Sequence, residues 1–371
     1  MIRAYKPNKS GNYSGQYLIT SYNMENKVWE YLRRFRNKDY CTNKLKELIL
    51  PSSTNYSKIT TKAEHISAAI VQAESYYQSA RTASLEVKPL LLYYGMVGLA
   101  KCLIMLGDNE YTLASDDISN ENHSQHGLSN KVKRGYTNDE TARDGNELSP
   151  EFCYIKSAGL YPLLRDCYSV TKITNGERLT VKDLLSLFPE TQKDYFEYYK
   201  EAPRVWRCDG HYGKHITHDN YQLIKFIDYD TLFFRTSPTD KYEDVLKNAF
   251  PELTTKYVVD GACYLSTNEI VGVDDGIYLS ESLNGASFAF CKIRNIGLSD
   301  IDIHFLLMFI LSNIVRYRQD KWSNLINRTF NNDFSMIESF LEVSQVKFPM
   351  LVLRELESKD YEFVERIARW G

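Results

Sequence analysis

Lys88-Pro-Leu-Leu-Leu-Tyr-Tyr-Gly-Met-Val-Gly-Leu-Ala-Lys-Cys-Leu-Ile-Met-Leu106 decides the fold of this chain. Pro89 suits the first turn of a helix, where its missing N–H costs nothing. Gly107 suits the position just past the end. Between them runs an apolar helix. Upstream, Thr61-Lys-Ala-Glu64 fits a capping box. Ile66, Ala69, Ile70, Ala73, Tyr77 and Ala80 then form an i, i+3, i+4 stripe that ends near Ser84. The short link predicts two antiparallel neighbouring helices.

Outward from that hairpin the pattern changes several times. Residues 1–25 read as irregular, with short helices around 28–35 and 44–50. Residues 107–150 are polar and read as a long loop containing His123-Ser-Gln-His126-Gly-Leu128. Thr180–Pro189 reads as a short helix stopped by proline. Strands are predicted at 222–227, 232–235, 257–265, 276–279 and 287–293, separated by Gly, Asp and Asn. Ser299-Asp-Ile-Asp302 is a helix start with favourable acidic residues. Phe305–Val315 is apolar nearly all round and is expected to be a buried central helix. Further helices are predicted near 321–330, 334–346 and 350–368. The parts are therefore 1–150, helical with a polar loop; 151–298, a mixed α/β insertion; and 299–371, helices that complete the core.

Of 371 residues, 43% are hydrophobic and 25% charged, the balance of an ordinary soluble globular protein. A net charge of −3 supplies no whole-molecule basic field for nucleic acid, though a local basic patch is compatible with it. Seven scattered cysteines without a Cys-x-x-Cys argue against a disulfide framework and for a reducing compartment. The start, Met1-Ile-Arg-Ala-Tyr-Lys6, lacks an apolar signal region. Phe305–Leu311 is too short to cross a bilayer. A cytoplasmic protein without a membrane partner is expected.

Four segments, in order, resemble the bacterial YaaC-like family. They are Lys88–Gly95 with its preceding helix; His126-Gly-Leu128; Leu179–Pro189; and Leu311-Ser-Asn-Ile-Val-Arg-Tyr317 with Trp322, followed by Phe348–Leu356. The resemblance implies a mainly α fold, with an HEPN-like helical bundle core and an inserted small mixed α/β region. HEPN proteins include ribonucleases of toxin and antiviral defence systems. Their active pair is Arg, four to six residues, then His on a helix. There Arg would stabilise phosphate charge and His would move a proton. This chain departs from that pattern, because Lys321, Trp322 and Ser323 stand where the histidine would follow Arg316.

The candidate catalytic residues are therefore Arg316 with His126 brought over from its loop, or alternatively Arg204 with His211. Arg318, Lys321 and Lys88 are candidates for anion or RNA binding. The bland readings are concrete. Arg316 and Arg318 would compensate a helix C-terminus and pair with Asp320 or a distant acid, and His126 would anchor its loop. Tyr93 and Tyr94 are adjacent on a helix, so one is expected in the core and the other on a polar partner. His304 lies about 18 Å along the helix from Arg316 and cannot pair with it directly. Cys208, His211, His215 and His218 have ligand-capable chemistry, but intervening glycines and strand alternation favour a polar hairpin, and no metal is assigned. No cofactor is expected, and P-loop, Rossmann, Gly-x-Ser-x-Gly and His-Glu-x-x-His motifs are absent. The expected function is a scaffold or partner-binding subunit, as a homodimer or hetero-complex. A divergent metal-independent ribonuclease or an RNA or nucleotide sensor is the alternative.

Overall fold

The computed structural model describes residues 16–21, 23–49, 56–107, 125–130, 147–168, 176–213, 223–227, 242–250, 254–259, 262–266, 278–283, 286–294, 296–327, 332–358 and 360–365. The fold is mainly helical with small sheets. Helices α1 (Met24–Leu32) and α2 (Lys38–Leu48) are joined by a 3-10 turn, Arg33–Arg36. They lie against the long hairpin of α3 (Ile59–Thr82) and α4 (Lys88–Leu106). The stripe read from sequence is the buried face of α3. The start of α3 differs from expectation. It follows a 3-10 turn at Tyr56–Lys58, and the cap residue Lys58 makes no side-chain cap bond. Thr61 and Glu64 thus lie inside the helix, and Glu64 pairs with Lys38 instead of closing a capping box.

The two hairpin helices approach closely because Gly95 and Gly98 face α3. A Cβ on Gly95 would lie 2.5 Å from the Tyr77 ring, and one on Gly98 would lie 3.2 Å from Ala73 Cβ. At the other end of the hairpin, the buried Lys62 ammonium donates to Met105 O at 2.9 Å and Gly107 O at 3.2 Å. It thereby satisfies carbonyls that the end of α4 leaves open. Helix α4 is long and apolar enough to cross a membrane, but 72% of its apolar window is buried inside the protein.

The middle of the chain adds α5 (Leu160–Tyr168), α6 (Val181–Leu185), α7 (Gln192–Tyr199) and α8 (Tyr242–Ala249). The helix expected at 180–189 is the single turn of α6, opened by a Thr180/Asp183 capping box, and a 3-10 turn at Pro189–Thr191 follows it. The strands are β1 (Gln16–Ser21), β2 (Leu128–Ser129), β3 (Phe152–Ile155), β4 (Arg178–Thr180), β5 (Val205–Gly213), β6 (Leu223–Ile227), β7 (Thr254–Val259), β8 (Ala262–Ser266), β9 (Tyr278–Glu281), β10 (Ser287–Phe290) and β11 (Asp360–Glu365). A six-stranded antiparallel sheet runs β7-β8-β6-β5-β10-β9, entirely within the expected insertion. The run 257–265 is two strands of a hairpin, and 232–235 lies outside the described residues. A three-stranded sheet, β2-β3-β4, joins residues on both sides of position 150.

The third part supplies α9 (Asp300–Tyr317), α10 (Gln319–Asn327) and α11 (Asn332–Glu357). Helix α9 is buried from Asp300 to Val315 and packs on α4, as its all-round apolarity demands. Ser299 and Asp302 form its capping box. Two helices were expected where α11 runs unbroken. Pro349 sits inside it, with Phe348, Met350, Val352 and Leu353 all buried around it. The helix expected to reach 368 ends at Glu357, and β11 follows. That strand pairs in parallel with β1, within a stretch expected to be irregular.

Candidate functional site

The segment Gln125–Gly127 that carries His126 is fixed by backbone hydrogen bonds. Leu160 N donates to Gln125 O at 2.8 Å, Tyr161 N to His126 O at 3.0 Å, and Lys156 N to Gly127 O at 3.0 Å. The first turn of α5 thus supplies donors to carbonyls of the loop. Gly127 at φ +72° and Gly159 at φ +121° make this approach possible. A Cβ on Gly127 would lie 2.4 Å from Pro162 Cδ, and one on Gly159 would lie 2.4 Å from Gly127 N.

Helix α5 is in turn tied to α9 through Asp302, which is fully buried. Tyr161 Oη donates to its Oδ1 at 2.7 Å, and Arg165 donates to Oδ2 at 2.7 Å and to Gly297 O at 2.8 Å. One carboxylate therefore caps α9 and fixes the helix that holds the His126 loop.

His126 lies over α4. Its Nδ1 is 2.9 Å from Tyr93 Oη, and its ring sits beside Phe309 of α9 at 6.1 Å between centroids. Tyr93 is fully buried and packs on Phe305 and Phe309. Burial pushes the Tyr93 hydroxyl far above its usual range, so it keeps its proton. His126 is its one hydrogen-bond partner among the described residues. A buried hydroxyl that donates to nothing costs about 1–3 kcal/mol. The satisfied arrangement has Tyr93 O–H donating to Nδ1, which leaves the ring proton of neutral His126 on Nε2. Burial holds the imidazole below its usual pKa, and Arg316, Lys101 and Lys156 push it the same way.

Arg316 stands in the last turn of α9. Its guanidinium donates weakly to Ser312 O at 3.3 Å, Tyr94 Oη at 3.3 Å and Asn313 Oδ1 at 3.4 Å. It lies over the Tyr94 ring at 5.9 Å and the Tyr317 ring at 5.1 Å. Tyr94 is stacked on Tyr76 at 5.6 Å. Among the described residues Arg316 has no carboxylate at ion-pair distance. Its neighbours differ. Arg318 and Lys321 both donate to Glu151, which is 3% exposed. For Arg318 the partner is this distant acid and not the neighbouring Asp320.

The family model described as "YaaC-like Protein" matches residues 30–356. The chain belongs to the YaaC-like family. No curated protein and no solved structure matches it.

In this YaaC-like chain the hairpin brings Tyr93 and Tyr94 to His126 and Arg316 respectively, so both tyrosines reach polar partners. Lys88 begins the same helix and has no ion pair among the described residues. Arg204 and His211 are arranged differently. Arg204 precedes β5, donating to Lys292 O at 3.2 Å, and His211 lies within that extended strand. Seven strand residues span roughly 23 Å, so the pair lacks the spacing of one helix face. Cys208 is buried on β5, while His215 and His218 lie outside the described residues. No group of three metal-ligating side chains occurs among the described residues. His304 is fully buried, with Nδ1 2.6 Å from Ser344 Oγ. Sequence reasoning did not single out Lys101, Lys156, Asn313 or Glu151. Asn313 lies in the Leu311–Tyr317 segment, three residues from Arg316 on one helix, so spacing alone could have found it; Lys101, Lys156 and Glu151 are brought near Arg316 or its neighbours only by the fold.

Proposed function

We propose that this YaaC-like protein is an HEPN-like scaffold that binds the phosphate group of a nucleotide or RNA through Arg316. The observation that carries the reading is a contrast within three residues. The side chain of Arg318 is neutralised by Glu151, whereas Arg316 has only neutral acceptors among the described residues. A half-buried guanidinium with weak neutral contacts is ready to exchange them for a charge-assisted bond to an anion. His126 Nε2–H adds a second donor, and Lys101 and Lys156 strengthen the positive field. Tyr317 is 70% exposed beside Arg316 and offers a ring for a base to stack on, which favours a nucleotide over free phosphate.

Isothermal titration with pyrophosphate, AMP and a short oligoadenylate tests the reading. Binding should weaken about tenfold or more in Arg316→Ala, the loss of one charge-assisted contact. Unchanged affinity in a folded Arg316→Ala protein would remove Arg316 from the site.

Ribonuclease activity is the second reading, favoured by a neutral imidazole near enough to Arg316 to feel its charge. The tautomer set by Tyr93 argues for binding first, because Nε2 carries a proton and cannot accept one. Incubation of the protein with a tRNA and mRNA pool, with and without EDTA, separates the two. EDTA-resistant cleavage lost in Arg316→Ala would establish the enzyme. A cytoplasmic homodimer or hetero-complex within a defence or stress system is the assembly expected of such a scaffold. Light scattering of the purified chain and pull-down from its host test it.

A further inference from the structure

A second site lies away from Arg316, where the helical core meets the six-stranded sheet. A cleft of about 410 Å³ is bounded on one side by Pro189, Glu190 and Gln192 and by Val343 of α11. Arg207 of β5, Phe288 of β10 and the turn before β10 bound the other side. That volume lies within the range of small-molecule pockets. Apolar walls from Pro189, Leu283, Phe288 and Val343 and a few polar groups match the usual make-up of such sites.

The polar side of the cleft is unsatisfied. Among the described residues, nine buried side-chain polar atoms lack a hydrogen-bond partner, and four of them belong to residues 190–192: both Glu190 carboxylate oxygens, Thr191 Oγ1 and Gln192 Oε1. Each such group is destabilising while unpaired. These atoms are screened from solvent and Thr191 does not line the cleft, so it is Glu190 and Gln192 that a small turn of the side chain would bring to a partner there. Three of the four can only accept, so the partner must donate. The cation nearest Glu190 pairs with it only at long range. Lys347 Nζ is 3.5 Å from Glu190 Oε1 but closer, at 3.1 Å, to Asp300 Oδ1. Burial would lower the Lys347 ammonium, but Asp300 and Glu190 together raise it, so its charge is retained and shared.

The turn is held rigidly enough to be a site. Phe188 packs edge-on against His304 at 5.5 Å and Phe340 at 5.3 Å. Thr191 N donates back to Phe188 O at 3.3 Å. Across the cleft, Arg207 is exposed and has no ion pair among the described residues.

The geometry points to a binding site for a small zwitterion, with its ammonium on Glu190 and Gln192, its anionic end on Arg207 and its short apolar body against Phe288 and Leu283. Acceptors on one wall and a guanidinium on the other call for opposite charges at the two ends of the ligand. Gln192 is half-exposed, and a turn of its side chain brings Oε1 to a donor entering the cleft.

The test is calorimetric titration of the full chain with 4-aminobutyrate, n-butylamine and butyrate. The zwitterion should bind in the millimolar range, with n-butylamine weaker and butyrate weakest. Glu190→Gln and Gln192→Ala should each weaken 4-aminobutyrate about tenfold, the loss of one hydrogen bond to a charged group. Arg207→Ala should weaken 4-aminobutyrate and leave n-butylamine unchanged. If Glu190→Gln does not fold by circular dichroism, Gln192→Ala and Arg207→Ala carry the test. The proposal is overturned if neither amine binds, if butyrate binds as well as the amines, or if the folded variants bind like the parent. Because Arg316 plays no part in these titrations, the outcome is independent of the phosphate reading.

Discussion

Tyr93 Oη lies 2.9 Å from His126 Nδ1, and this contact sets which nitrogen of the imidazole faces a ligand with a proton. Removing the hydroxyl frees that choice. In Tyr93→Phe, Nδ1 loses its partner and the Nε2-deprotonated tautomer becomes accessible. Nitrogen-15 NMR of the His126 ring should show one dominant tautomer in the parent and a mixture in the variant. A parent that is already mixed would remove the tautomer argument for binding over cleavage.

Anion binding at this site should raise the pKa of His126. Burial and three cations keep the imidazole neutral in the free protein. A bound phosphate reverses part of that field and stabilises the protonated ring, against the cost of turning the Tyr93 hydroxyl from donor to acceptor at Nδ1. Affinity for pyrophosphate should therefore increase as pH falls from about 7.5 towards 6, the region where an ordinary histidine titrates. Arg318→Ala should change this affinity little, since Arg318 is held by Glu151. A larger loss in Arg318→Ala than in Arg316→Ala would reassign the site.

The same direction of shift makes the fold acid-sensitive. Burial holds His304 well below the ordinary histidine value, with Lys347 adding to the effect. His126 is lowered too. Between the lowered folded pKa and the unfolded value near 6.5, the unfolded chain binds more protons, so stability rises with pH. The contribution is fully present above about pH 6.5 and is lost as pH falls towards the folded values. Urea midpoints should fall from about pH 7 to about pH 5, and His304→Phe should flatten that slope. An identical slope in the variant would rule out His304 as a source.

Asp302 should be the most costly single position of the core to neutralise. Asp302→Ala strands the buried Arg165 guanidinium and also removes a cap, and breaking such a pair costs about 3–5 kcal/mol. Tyr161→Phe removes one hydrogen bond and should cost only about 1 kcal/mol. Chemical denaturation of both variants checks the ranking, and equal losses would contradict it.

Gly95→Ala should destabilise by about 1–3 kcal/mol through overpacking, because its Cβ would enter the ring of Tyr77. Gly98→Ala should cost less, since its nearest contact is 3.2 Å. A Tyr77→Leu background should recover part of the Gly95→Ala loss if the ring is the obstacle. No recovery would place the obstacle in the backbone.

What could be read from the chain was what is local. The hairpin of α3 and α4, the capping box at Ser299 and Asp302, and most strands of the six-stranded sheet follow from period and punctuation within a few residues. The Thr61/Glu64 pattern misled because burial of Ile59 extends α3 past its apparent cap. Pro349 misled because its buried neighbours keep α11 helical through it. Strands β1 and β11 were missed because neither is stable alone and each depends on a partner more than three hundred residues away. Arg316 and His126 stood out by type and motif. Their connection through Tyr94 and Tyr93, and the Glu151 that separates Arg318 from Arg316, exist only once distant segments are packed.

The parallel pairing of β1 with β11 has a mechanical meaning. Gln16 lies beside Asp360 and Ser21 beside Glu365, so the chain enters one strand and leaves the other at opposite ends of the ribbon. Tension applied through handles beyond the two strands would pull them past each other lengthwise. Their hydrogen bonds would then share the load and break together instead of unzipping singly. A path from the end of β11 to the start of β1 would have to run back along the ribbon, about 20 Å for six residues. The two strands are thus neighbours along their whole length, and the fold resists being drawn apart along the line on which they meet.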